Sequence, residues 1–303
     1  MTDGTPKSAK QRRRRDHEVA HVLWRVLFLN LLVAVLKLIF GVLSGALSMI
    51  ADGFHSAIDA SSNVVGLVGL NIAGKAPDAD HPYGHRKFEA LAALAISLLL
   101  FITCYEILTQ VIGRFREGRD DIEPRLVTFV VMILTIGVNI FVTRYERREG
   151  RRLTSMILLA DAKHTQSDIF TSLGVIASLV AALLNFQLLD LIVAVSIAGF
   201  IAYAGYTIVA GAFSVLADTQ VVDPVEVIEI ATAVEGVTHA HRVRSRGLPD
   251  DIHVDLHLHV PAEMTIRHAH DVAHKASDRI RRGIPGVTDV VVHVEPEGEH
   301  EDD

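Results

Sequence analysis

Long apolar runs, broken by short polar or glycine-containing stretches, fill the first two-thirds of the chain, and the last third alternates instead. Crossing about 30 Å of hydrocarbon takes about 20 helical residues. Six stretches have that length: 22–43, 48–73, 88–112, 126–143, 153–184 and 188–216. Beyond Asp218 the elements shorten. Asp223 and Pro224 read as the cap and first residue of a helix reaching about Val234. A strand over 239–245 and a turn at 247–250 follow. Ile252, Val254, Leu256, Leu258 and Val260 alternate with His253, Asp255, His257 and His259, the period of a half-buried strand. Thr265 caps a helix that ends before Gly283, and 287–295 form a last strand. The pattern predicts a membrane α-helical domain of six transmembrane helices, then a small cytoplasmic α+β domain. Its order is α-β-β-α-β, ferredoxin-like, with helices on one sheet face. The expected divisions are 1–21, a basic cytoplasmic segment; 22–216, the transmembrane domain; 217–297, the cytoplasmic domain; and 298–303, an acidic tail.

Half of the 303 residues are hydrophobic, which excludes a disordered chain and argues against a wholly soluble one. The single cysteine, Cys104, excludes an intramolecular disulfide framework or a thiolate zinc cluster within one chain. Any metal must be held by nitrogen and oxygen. The net charge of −7 divides into +3 over residues 1–217 and −10 over 218–303. Arg12 to Arg15, the group Lys75, Arg86 and Lys87, and the run Arg144, Arg147, Arg148, Arg151 and Arg152 fall on one side of the spans. The first and last hairpins on the other side carry no Lys or Arg, and in the middle one acidic residues offset Arg114, Arg116 and Arg119. Both termini are therefore expected in the cytoplasm. The arginine run reads as an orientation signal or a lipid-headgroup contact rather than a nucleic-acid site. No cleavable signal peptide is expected, and a bacterial inner membrane suits the chain.

Charged groups at mid-membrane cost about 2.5 to 3.5 kcal/mol each and call for a reason. The second span contains Asp52, His55 and Asp59; the fifth contains Asp161, His164 and Asp168. The pattern ADxxHxxxD thus occurs twice, 109 residues apart. Positions i, i+3 and i+7 share one helix stripe, so the two stripes can face each other. His55, Asp59, His164 and Asp168 then supply two imidazoles and two carboxylates, a set a divalent ion such as zinc accepts. Asp52 and Asp161 lie one turn away, where support of the ligands or lining of an access path is expected. A His ligand must be neutral and an Asp ligand ionised, so metal and protons compete for the site.

The stretches SMIADGFHSAIDASSNVVGLVG, DADHPYGHRKFEALAAL and ADAKHTQSDIFTSLGVIASL, with a His-rich tail, resemble the cation diffusion facilitator family of metal transporters. The resemblance implies a homodimeric, six-helix exporter, not an enzyme, that exchanges cytoplasmic divalent metal for protons. It puts the transport site on His55, Asp59, His164 and Asp168, in the form typical of Zn2+ transporters; Cd2+, Co2+, Fe2+ and Mn2+ are the alternative cargoes. It implies a second metal site on Asp78, His81 and His85, and a charge lock between Lys87 and Asp218. Ten of the 16 histidines follow residue 218. The resemblance maps the metal sites of the cytoplasmic domain, expected to dimerise and sense metal, to His241, His257, His270, His293 and Glu295. Glu295 stands where an Asp is expected, and His259 is an extra candidate. An intramembrane metalloenzyme or a metal-gated channel are the readings from other classes. The roles of Asn30, Lys37, Glu106 and Asn139 stay open.

Overall fold

In a computed structural model of the chain, residues 7–44, 47–117, 126–183 and 187–298 are described. The expected middle hairpin at 118–125 and all but the first residue of the acidic tail lie outside them. The chain forms two units, Met1–Ala212 and Phe213–Asp303.

The first unit is helical: α1 (Lys7–Ser44), α2 (Leu47–Asp59), α3 (Ser61–Ala73), α4 (Phe88–Glu117), α5 (Leu126–Arg152), α6 (Met156–Leu183) and α7 (Gln187–Leu216), the last running past the unit boundary. Among the described residues, three helices are long and apolar enough to cross a membrane by length and composition: Arg12–Leu43, Phe88–Thr109 and Ile192–Leu216. The second expected span is two helices rather than one. They meet at Ala60, whose torsions (φ −60, ψ −13) are close to those of a 3₁₀ turn and whose N–H still bonds Ser56 O at 3.2 Å. The interruption is thus a single residue, just after Asp59. The fifth expected span starts three residues late, at Met156, because Thr154 adopts a left-handed φ of 50° and closes α5.

Leu23, Ile96, Leu100, Ile157, Leu158 and Ile201 build the core from α1, α4, α6 and α7. Trp24, Phe28, Leu98, Phe141 and Tyr203 point outward and are exposed, as lipid-facing residues are. Helices α3 and α4 pack closely: a Cβ on Gly69 would overlap Ala92 Cβ.

One ion-pair knot fixes where α6 begins. Arg15 donates two 3.1 Å bonds to Glu89, one of 2.7 Å to Leu153 O and one of 3.0 Å to Thr154 O. Glu89, fully buried, also accepts the Met156 N–H at 3.0 Å. Arg86 joins through Asp16 and Glu89. The first turn of α6 is thereby tied to α1 and α4.

The second unit has α8 (Pro224–Thr232), β1 (His239–Leu248), β2 (Asp251–Val260), α9 (Ile266–Gly283) and β3 (Val287–Pro296). Asp223 caps α8 through Val225 N, and Thr265 caps α9 through His268 N. The sheet order is β1-β2-β3, with β1 and β2 antiparallel and β2 and β3 parallel. Val254, Leu256 and Leu258 pack under Val227, Ala231, Val272, Ala276 and Ile280 of the two helices. The alternation of β2 puts His257 and His259 on the opposite face.

Candidate metal sites

Within the helical unit, a cavity of about 60 Å³ is lined by His55, Asp59, His164 and Asp168. Asp59 ends α2, one turn after His55, and their side chains approach to 3.7 Å. From α6, His164 Nε2 lies 3.9 Å from Asp59 Oδ1. Donor atoms of Asp59, His164 and Asp168 all lie within 4.8 Å of one another. His164 is buried, and neither of its ring nitrogens has a hydrogen-bond partner among the described residues. Two unspent nitrogens beside two carboxylates suit a cation better than an apolar contact. His55 lines the same cavity, faces Asp59 at 3.7 Å and is 42% exposed.

Asp161 takes a different part. It is fully buried on α6, accepts Ser62 Oγ at 2.7 Å, and accepts Asn63 Nδ2 through its other oxygen. Asn63 Oδ1 in turn accepts Asn30 Nδ2 at 3.0 Å. Both Asp161 oxygens accept from α3, and its carboxyl also hydrogen-bonds Glu146 of α5, so it joins helices α1, α3, α5 and α6 one turn from the donors. The side chain of Asp52 lies outside the described residues.

Sequence reasoning left Asn30, Lys37 and Asn139 unassigned; all three line the cavity, and Lys37 Nζ donates to Ser56 Oγ at 2.9 Å. Glu106 is not among the lining residues. Glu146 was missed. It lies beyond the fourth apolar run, on the last turns of α5, yet it is fully buried and accepts Thr165 Oγ1 at 3.3 Å. Its carboxylate so near an arginine-rich run reads in sequence as an ordinary surface residue.

The loop between α3 and α4 brings Asp78, His81 and His85 together, with donor atoms within 4.8 Å of one another. Asp78 Oδ1 accepts the His81 and Asp80 N–H groups at 2.8 and 3.1 Å, and Gly84 (φ 86) turns the chain so that His85 Nε2 reaches Asp78 Oδ2 at 3.3 Å. The His81 N–H bond holds the Asp78 carboxyl below its ordinary range. Buried His85 Nδ1 has no hydrogen-bond partner among the described residues.

On the open sheet face of the second unit, register decides the cluster. His257 pairs with His241 on β1 and His293 on β3; His259 pairs with His239 and Glu295. Alternation puts all six on one side. Glu295 sits among four imidazoles: His257 at 2.7 Å, His259 at 3.1 Å, His241 at 3.5 Å and His293 at 3.5 Å. Donors of His241, His257 and Glu295 fall within 4.8 Å of one another. Partial burial pushes the His241 imidazole below its ordinary range, against the pull of Glu295. Burial opposes ionisation of Glu295, but the His257 hydrogen bond and neighbouring imidazoles hold it below the usual carboxylate range. His270 stands apart. It pairs with His274 one turn along exposed α9, on the far side of the sheet, and so cannot reach Glu295 within its own chain. Lys87 and Asp218 fall in different units.

Residues 23–217 match the model of the cation efflux transmembrane domain, and 222–297 match the cation efflux protein cytoplasmic domain. The chain belongs to the cation efflux, or cation diffusion facilitator, family. Transporter MJ0449 of Methanocaldococcus jannaschii is 33% identical over 270 residues, 88% of this chain and 94% of its own. The manganese efflux system protein MneS of Bacillus subtilis is 27% identical over 267 residues, 88% and 91% of the two chains. A nickel form of the MamM CTD is 24% identical, covering 24% of this chain and 91% of that one, with a TM-score of 0.23. This cation efflux protein is therefore an integral membrane transporter of divalent metal cations and not an enzyme. It has a helical membrane domain followed by a small α/β domain.

Proposed function

We propose that this protein exports Zn2+ from the cytoplasm in exchange for protons, with His55, Asp59, His164 and Asp168 as the transport site. The observation that carries this reading is the convergence of Asp59, His164 and Asp168 donors to within 4.8 Å around an imidazole with two unpartnered nitrogens. The mixed nitrogen and oxygen set favours zinc, and its protonatable members supply the coupling: binding expels protons, and protonation expels metal. Six spans with both termini cytoplasmic, in a bacterial inner membrane, complete the transporter. Its divisions are 1–21, 22–216, 217–297 and 298–303.

In the same proposal, Asp78, His81 and His85 form an outer cytoplasmic metal site, and Lys87 locks to Asp218. The sheet cluster of His241, His257, His293 and Glu295 senses cytoplasmic metal in a homodimer, with His270 contributed by the second copy. The exposed face of α9 that carries His270 supports that division of labour. The charge of −10 beyond residue 217 opposes contact between two copies until divalent ions neutralise it.

The name of MneS favours one second reading, manganese export through the same site. Uptake of zinc, manganese, iron, cobalt and cadmium into proteoliposomes, read by an internal metal dye, separates the two. Zinc uptake exceeding manganese uptake is expected; manganese uptake without zinc uptake overturns the metal assignment.

A further inference from the structure

A groove of about 560 Å³ runs between the first half of α1 and the second half of α3, away from the metal cavity. Arg13, His17 and Trp24 line it from α1; Leu67, Asn71 and Lys75 line it from α3 and the turn just after. The helices run in opposite directions, so Arg13 and Lys75 meet at one end. Intervals of four and seven residues put Arg13, His17 and Trp24 on one face of α1, and Leu67 and Asn71 share a face of α3, with Lys75 in the turn beyond it. Those stripes are cationic where α1 begins and apolar further along. Trp24, 60% exposed, with Ala20, Leu67 and Leu70, forms the apolar part of the groove. Asp16, the one acidic lining residue, already accepts Arg15 at 3.0 Å and Arg86 at 3.3 Å, so it does little to offset the cations.

We infer that this groove binds an anionic phospholipid, its phosphate held between Arg13 and Lys75 and its acyl chains laid along Trp24, Ala20, Leu67 and Leu70. Charge complementarity selects the headgroup, and the apolar floor requires a molecule with chains rather than free phosphate.

Trp24 is the chain's single tryptophan, so its fluorescence reports this groove alone. The full chain is reconstituted in phosphatidylcholine bilayers, and brominated phosphatidylglycerol or brominated phosphatidylcholine is added at matched mole fractions. Brominated phosphatidylglycerol is expected to quench at a lower mole fraction, by about fivefold for each basic side chain engaged. Arg13→Gln with Lys75→Gln removes that preference while quenching by brominated phosphatidylcholine persists, which shows that the variant is inserted. Arg14→Gln, a charge outside the groove, leaves the preference in place. Equal quenching by the two lipids in the unaltered chain overturns the proposal. So does a preference that survives the double substitution, or one that Arg14→Gln lowers as much as Arg13→Gln, since both mean diffuse surface charge.

Discussion

Asp59 and His164 belong to different helices and lie 105 residues apart, yet Asp59 Oδ1 and His164 Nε2 are 3.9 Å from each other inside the membrane domain. Asp59 also faces His55 at 3.7 Å, so it touches both imidazoles. Its loss should be the most damaging single change. Asp59→Ala and His164→Ala are expected to abolish metal transport, whereas His55→Ala, altering a half-exposed group, leaves a weakened but measurable flux. Initial rates in proteoliposomes across a metal series check the order.

Asp161 should matter for stability first and for metal second. Asp161→Ala leaves the buried Ser62 hydroxyl and Asn63 amide without their acceptor, a cost of about 1 to 3 kcal/mol. Because α6 carries His164 one turn away, loosening its contact with α3 should lower metal affinity as well. Thermal unfolding in detergent and metal titration of the same variant read the two effects separately.

How much of this site was legible follows from its residues. The repeated ADxxHxxxD stripes pointed to His55, Asp59, His164 and Asp168 because helical period is a local property. The supporting place of Asp161 was legible from its position one turn away, but its partners were not: Ser62 and Asn63 sit 99 and 98 residues earlier on α3 and depend on how two helices pack. Glu146 escaped because the apolar run ends before it. On β2 the period of two exposed the histidine face, but which histidine faces Glu295 depends on strand register, set only when three strands pair. The break at Ala60 leaves no mark in hydropathy, since an alanine serves equally well inside a helix.

The Arg15 and Glu89 knot predicts an asymmetry between single and double changes. Glu89→Leu leaves two largely buried guanidiniums, Arg15 and Arg86, sharing Asp16 as their remaining carboxylate in the knot and should cost about 3 to 5 kcal/mol. Adding Arg15→Met removes one of these two guanidiniums, leaves Asp16 to Arg86, and should recover part of that loss. Unfolding midpoints of the single and double variants give the comparison.

Acidification should release metal late from the sheet cluster. His241 is held below its ordinary range, so it stays neutral and able to bind metal at pH values where a free imidazole, near about 6.5, is already protonated. Glu295 is also lowered and remains an anion there. Metal bound at this cluster should therefore persist through about pH 6.5 and be lost below it. Calorimetric titration of the full chain carrying Asp59→Ala, to silence the membrane site, follows this from pH 7.5 to 5.5; half-loss above the free imidazole value contradicts it.

The central claim is that one buried His and Asp site exchanges metal for protons. Its most direct test is proton movement in proteoliposomes loaded with a pH dye and challenged with Zn2+, using the unaltered chain and Asp168→Ala. Zinc-dependent counterflow of protons, absent in Asp168→Ala, is the predicted result. Zinc entry with no accompanying proton movement would contradict it.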